Sequence, residues 1–92
     1  MATLHQLNAE TQLANCLKLL AAGDSLVLIE SGLALVAKVN FLPQLPTGIN
    51  VLVLKSDLQA RGLLATCPSS IRGISDAEWV EVSWEADRVC SL

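Results

Sequence analysis

The chain has 92 residues, of which 52% are hydrophobic and 3% aromatic, with a formal net charge of −3 and a mean hydropathy of +0.50. This length predicts a single domain over residues 1–92, and the small, acidic charge argues against direct nucleic-acid binding, which needs clustered cations. No run reaches the roughly 20 apolar residues of a membrane span, and the first residues lack a basic and apolar leader pattern, so we expect a cytoplasmic chain.

The first third of the chain predicts a strand, a helix and a second strand. TLHQL (3–7) predicts the first strand, and a helix starts near Asn8 or Thr11, whose side-chain oxygens can cap it. Gly23 follows the last turn of this helix, in the position where glycine commonly ends a helix. SLVLIE (25–30) predicts a strand buried on both faces. The apolar face of the helix repeats at helical spacing and comprises Leu13, Cys16, Leu17 and Leu20.

The central third predicts a helix, a loop, a strand and another short helix. GLALVAK (32–38) predicts the second helix, and residues 40–49 predict a loop because they contain two prolines and a glycine. NVLVLK (50–55) predicts the third strand. Residues 56–59 match a capping box, with Ser at the N-cap and Gln at N3, and the helix that they open ends at Gly62.

The last third completes an α/β pattern. SSIRGI (69–74) predicts a short fourth strand, and residues 75–78 form a second capping box. WVEVSW (79–84) also alternates like a strand, but the capping box favours a helix; DRVCSL (87–92) predicts a terminal strand or tail. Strands that alternate with helices predict a three-layer α/β/α fold around a small, mostly parallel sheet of about four to five strands.

The apolar content is high for so short a chain, and it favours an obligate oligomer. A compact body of this size leaves much of its side-chain area at the surface, and a large exposed apolar patch marks an interface. The alternative is that a parallel sheet covered on both faces absorbs these residues, because its strands are apolar throughout.

The cysteines predict neither a metal site nor a disulfide. Cys16, Cys67 and Cys90 are 51 and 23 residues apart, there is no C-x-x-C pair, and His5 is the single histidine. A cytoplasmic chain keeps its thiols reduced. Cys16 is therefore either a small core residue or a sulfur site at the flank of the apolar helix face, partly exposed at a subunit boundary. Cys67 and Cys90 lack flanking cations or a helix N-terminus that would favour a thiolate.

Other polar residues give little support for a self-contained enzyme, and no cofactor is predicted. Ligands meet the carboxyl ends of parallel strands, and no glycine-rich phosphate loop follows any strand here. Glu30 and Asp57 lie at such ends and could pair as acid and base, although charged residues there are usually just solvated. His5 is better explained as a packed or edge residue than as a general base.

Three segments follow one another along the chain: LHQLN (4–8), CLKLLAAGDSLVLIESG (16–32) and VLVLKSDLQARGL (51–63). In this order they resemble the DsrH/TusB family, the smallest of three related subunits in bacterial sulfur-relay complexes, and the resemblance runs over essentially the whole chain. The chain departs from the family pattern at Gln6, where Thr is usual, and in its last residues, where relatives commonly carry Trp.

The resemblance implies a cytoplasmic heterohexamer that passes persulfide sulfur between proteins. Its other subunits are DsrE/TusD-like and DsrF/TusC-like paralogues, and a DsrC/TusE-like protein accepts the sulfur downstream. The Tus branch serves 2-thiolation of the tRNA wobble uridine, and the Dsr branch serves dissimilatory sulfur oxidation. The main sulfur-accepting cysteine belongs to the DsrE/TusD-like subunit, whereas DsrH-type members carry a cysteine matched by Cys16.

We therefore predict an accessory subunit of a sulfurtransferase complex that supports 2-thiolation of the tRNA wobble uridine, without activity of its own and with Cys16 as a secondary sulfur site. Three alternatives stay open: a DsrH-type subunit in dissimilatory sulfur oxidation, a stand-alone thiol enzyme, and a non-catalytic interaction module of the same fold.

Overall fold

A computed structural model describes residues 2–92, and in these residues five strands form one parallel sheet. The order across the sheet is β4-β3-β2-β1-β5, and every neighbouring pair runs parallel. The predicted three-layer α/β fold is confirmed. The strands are β1 (Thr3–Leu7), β2 (Ser25–Leu28), β3 (Asn50–Leu54), β4 (Arg72–Ile74) and β5 (Arg88–Ser91).

Short helical segments connect the strands, and no helix within residues 2–92 is both long and apolar enough to cross a membrane. The α-helices are α1 (Leu13–Leu17), α2 (Lys55–Ala60) and α3 (Asp76–Glu85). The 3₁₀ segments are Glu10–Gln12, Glu30–Ala37 and Leu42–Gln44.

The first helix is shorter than its apolar spacing predicts, because a turn takes over its second half. α1 ends at Leu17, and neither it nor the 3₁₀ turn before it has a side-chain cap. The Asp24 carboxylate accepts from the Ala21 backbone N–H, and Asp24 N–H donates to the Ala21 carbonyl, both at 3.0 Å. Such local bonds compete with the helix. Gly23, at φ +92°, lies in this turn rather than at the helix end.

The second predicted helix is a 3₁₀ segment that begins at Glu30, two residues early. Its buried residues recur every three positions, which fits the three residues per turn of a 3₁₀ helix better than the α-helical period. Gly32 passes so close to the end of β1 that a Cβ there would lie 2.2 Å from the Leu7 carbonyl oxygen. The buried residues are Gly32, Leu33, Leu35 and Val36.

The capping box predicted at Ser56 is wrong. β3 runs directly into α2, which begins at Lys55, so Ser56 already lies within the helix. The N-cap residue is Leu54, whose side chain makes no capping hydrogen bond. The end of α2 is as predicted: Gly62 adopts φ +68°, a left-handed conformation that suits glycine after a helix.

The second capping box is confirmed, and it decides that residues 79–84 are helical. The Ser75 hydroxyl accepts from Glu78 N–H, and the Glu78 carboxylate accepts from Ser75 N–H, both at 3.1 Å. The final segment is a strand, because β5 pairs with β1.

The two faces of the sheet are covered unequally. One face carries the larger core cluster, to which α1, α2 and the 3₁₀ segment Glu30–Ala37 contribute. The other carries a smaller cluster covered by α3, which contributes Trp79 and Val82. Its buried members are Leu4, Val27, Leu52, Leu54 and Ile74. A sheet face covered by one helix leaves room for grooves beside that helix.

Candidate functional site

Cys16 lies on α1 over the larger core cluster, and its exposed fraction is 0%. The partial exposure expected for it at the flank of the helix is therefore wrong. The helix is so short and so close to the sheet that the thiol points into the core. Burial, and to a smaller extent the neighbouring Cys90, raise the pKa of the Cys16 thiol. A protonated, enclosed thiol is a poor nucleophile.

His5 and Asp24 form a buried pair at the amino end of the sheet, with exposed fractions of 2% and 4%. His5 Nε2 and Asp24 Oδ2 are 3.0 Å apart. The same carboxylate accepts the backbone N–H of Thr3 and of Ala21, each at 3.0 Å. The His5 bond and then the Thr3 bond lower the pKa of Asp24. The prediction that His5 is a packed residue is confirmed.

This pair does not activate a thiol. Cys90 is the residue of β5 that pairs with His5 in the sheet register, and it is half-buried. The other ring nitrogen of His5, Nδ1, is buried, and among residues 2–92 it has no hydrogen-bond partner, so no thiol lies within bonding distance. The described part of the chain therefore lacks a hydrogen-bonded Cys–His pair, which is one of the arrangements that activate a thiol as a nucleophile.

Cys67 is half-buried, and its Sγ donates to the Pro68 carbonyl at 3.7 Å. Burial raises the pKa of this thiol also. None of the described side chains forms a group of three or more His, Cys, Asp or Glu able to hold a metal ion.

Acidic side chains collect at the carboxyl ends of β2 and β3, where parallel sheets bind ligands. Glu30 and Asp57 line one hollow of about 520 Å³, together with Asp76 at the start of α3. Glu30 has φ +51°, a left-handed conformation that is uncommon for a residue with a side chain. The structure thus brings Glu30 and Asp57 to the same hollow, which we name the acidic hollow.

A second depression, an apolar groove of about 390 Å³, lies between α3 and Gln6 of β1. Trp79 and Val80 line the groove and also line the acidic hollow, so the two depressions share a wall. Trp84 is 89% exposed and Val80 is 68% exposed. Large apolar side chains on a helix that lies over a core are expected to face a partner.

Sequence reasoning missed Asp24 and the apolar groove. The contact of Asp24 with His5 could not be predicted, because it depends on the register of β1 against β2, in which His5 lies opposite Leu26. Residues 24 and 26 share a face of the extended chain, so this register would have indicated the pair. The groove left a clearer signal, since Val80 and Trp84 are four residues apart and lie on one helix face.

Three known proteins or families are similar to this chain. A family model described as "DsrH like protein" matches residues 8–89. Protein TusB of Erwinia tasmaniensis is 47% identical over 55 residues, which are 58% of this chain and 58% of that protein. The chain thus aligns with little more than half the length of this curated relative. The crystal structure of the E. coli ychN protein has a TM-score of 0.76 at 17% identity, covering 99% of this chain and 97% of that one, and it shares the fold.

Proposed function

This chain belongs to the DsrH family, and we propose that it is an accessory subunit of a cytoplasmic sulfur-relay complex. In this proposal it joins DsrE/TusD-like and DsrF/TusC-like paralogues in a heterohexamer. The complex hands persulfide sulfur to a DsrC/TusE-like acceptor. The 47% identity to a protein named TusB favours the branch that supports 2-thiolation of the tRNA wobble uridine.

The observation that carries the proposal is the state of the thiols. A subunit that carries the main sulfur of a relay needs an accessible thiolate, because the thiolate is the nucleophile in persulfide exchange. Burial raises the pKa of both Cys16 and Cys67, and His5 does not bond to Cys90. These features favour an accessory role and argue against a stand-alone thiol enzyme.

Cys16 remains the proposed secondary sulfur site. Because it is fully covered, sulfur reaches it after α1 moves away from the sheet. This helix has five residues and no side-chain cap, and helices so short are held by packing rather than by their own hydrogen bonds. Local opening of such an element costs less than global unfolding. The sulfur role of Cys16 is therefore conditional on this movement.

Reconstitution of the complex tests the relay function. The chain is mixed with the two paralogous subunits, the downstream acceptor, a cysteine desulfurase and cysteine, and persulfide on each protein is followed by mass spectrometry. We expect transfer to the acceptor to fall sharply when this chain is omitted. An equal rate without the chain would contradict the proposal.

A Cys16→Ala variant in the same assay tests the secondary sulfur site. A carrier or steering role predicts an intact complex and a partial loss of transfer rate, because the main sulfur site lies elsewhere. Cys67→Ala is the matched control and should leave the rate unchanged. A normal rate with Cys16→Ala would assign this thiol to the core alone.

Deletion of the gene tests the proposed tRNA branch. Nucleosides from total tRNA are digested and quantified by mass spectrometry in the deletion strain and in a strain that carries a plasmid copy. We expect loss of wobble 2-thiouridine and its recovery with the plasmid. Unchanged 2-thiouridine in the deletion strain would exclude the tRNA role.

A further inference from the structure

The apolar groove and the acidic hollow adjoin each other along α3. Trp79 and Val80 belong to both, so a surface laid across this helix meets both depressions at once. Gln6 of β1 and Ser83 and Trp84 of α3 complete the lining of the groove. We call the surface formed by the groove, the hollow and the exposed ridge of α3 the α3 face.

The α3 face is strongly acidic. The helix has the sequence DAEWVEVSWE, with four carboxylates and no cation. Arg72 neutralises Glu78 at 3.0 Å. The remaining three carboxylates, Asp76, Glu81 and Glu85, are exposed and have no ion-pair partner in the described chain. Glu30 and Asp57 add two more acidic groups in the hollow.

This charge decides which partner can cover the exposed apolar side chains. A second copy of this chain placed face to face would set carboxylates against carboxylates, and like charges at an interface disfavour association. RNA would bring phosphates to the same acidic surface and is repelled in the same way. A protein surface with Lys or Arg beside an apolar side chain complements both depressions.

We propose that the α3 face docks such a basic and apolar protein surface. An apolar side chain of the partner enters the groove beside Trp84, and one or more cations face Glu30 and Asp57. Because Trp79 and Val80 form the shared wall, both contacts lie close to the same helical turn. This inference rests on the proposed function, since it assigns the partner surface to a subunit of the relay complex.

Binding of the wild-type chain to its two paralogous subunits, measured by biolayer interferometry, tests the apolar contact. Trp84→Ala removes a large side chain that is 89% exposed in the free chain, so folding should be unaffected. Loss of an aromatic anchor at an interface predicts binding weaker by roughly 30-fold or more. Val39→Ala is the control, because Val39 is 88% exposed but lies in a turn that is distant from α3 in the chain.

The charged contact is tested by the double variant Glu30→Gln and Asp57→Asn, which keeps side-chain size. Removing two carboxylates from a complementary interface slows association more than it speeds dissociation. We expect an association rate about tenfold lower at low salt, with the difference shrinking as added salt screens the charges. Glu10→Gln is the control, since Glu10 is paired with Lys38 in a segment distant from α3 in the chain.

The outcomes separate this inference from the function on which it rests. Weak binding by Trp84→Ala together with slow association by the double variant supports the α3 face. If the Trp84→Ala chain and the double variant bind the paralogues as well as their control variants do, the α3 face is not the docking surface. The proposed relay function is unaffected by that result. If the wild-type chain does not bind the paralogues at all, both the α3 docking surface and the proposed relay function are contradicted.

Discussion

We predict that Cys16→Ser destabilises the protein more than Cys16→Ala does, an order that an exposed thiol would not give. The thiol is fully enclosed in a cluster of apolar side chains. Cys16→Ser puts a hydroxyl there without an assured partner, and an unpaired buried hydroxyl costs about 1–3 kcal/mol. Cys16→Ala removes a single heavy atom and leaves a small cavity, at a cost of about 1 kcal/mol. The serine variant should therefore be the less stable one.

Thermal unfolding measured by circular dichroism checks this order. For a chain of this length the unfolding entropy is about 0.2 kcal/mol/K, so a loss of about 2 kcal/mol lowers Tm by roughly 10 °C. Cys67→Ser is the control: Cys67 is half-buried, and a hydroxyl there should reach water and shift Tm little. A Cys16→Ser protein as stable as Cys16→Ala would refute the enclosed position of this thiol.

Three further predictions concern the buried pair of His5 and Asp24, the close contact between Gly32 and the end of β1, and the net charge of the chain. Because the Asp24 pKa is lowered in the fold, its bonds stabilise the protein above the unfolded pKa of about 3.9, and this stability is lost as the pH falls through the folded pKa. Asp24→Asn should therefore flatten the acid limb of a stability–pH curve; an unchanged limb would contradict the pair. In a urea titration, Gly32→Ala should lower the free energy of unfolding by about 2 kcal/mol or more, because the added Cβ would meet the backbone oxygen of Leu7. Gly73→Ala is the control and should lower it less, because the added Cβ there meets the flexible Lys55 side chain. In a fluorescence titration the chain alone should show no tRNA binding at physiological salt, since its net charge is −3; salt-sensitive micromolar affinity would be the opposite result.

The strands were predictable because their signal is local and strong. NVLVL and SLVL are nearly continuous apolar runs, and both formed strands within two residues of the predicted ends. The capping box at Ser75 was equally readable, since both of its hydrogen bonds join residues three apart.

The helices on the larger core face were less predictable, because long-range contacts set their length and winding. α1 ends early where Asp24 binds the Ala21 backbone, and Asp24 is itself held by His5 from another strand. The burial of Cys16 depends on the same packing. The spacing of residues along one helix could not show how close that helix lies to the sheet.

The sheet order has a consequence for synthesis of the chain. β1 lies between β2 and β5, and Thr3 pairs with Arg88, a residue that follows 85 positions later. At about 5–20 residues per second, the ribosome makes that intervening stretch in roughly 4–17 s. During that time one edge of β1 has unpaired backbone groups, and an open strand edge is a template for intermolecular pairing. Contacts so distant in sequence also slow folding. The nascent chain is therefore most exposed to misassembly just before β5 emerges, and chaperone binding to stalled ribosome complexes should peak in that interval.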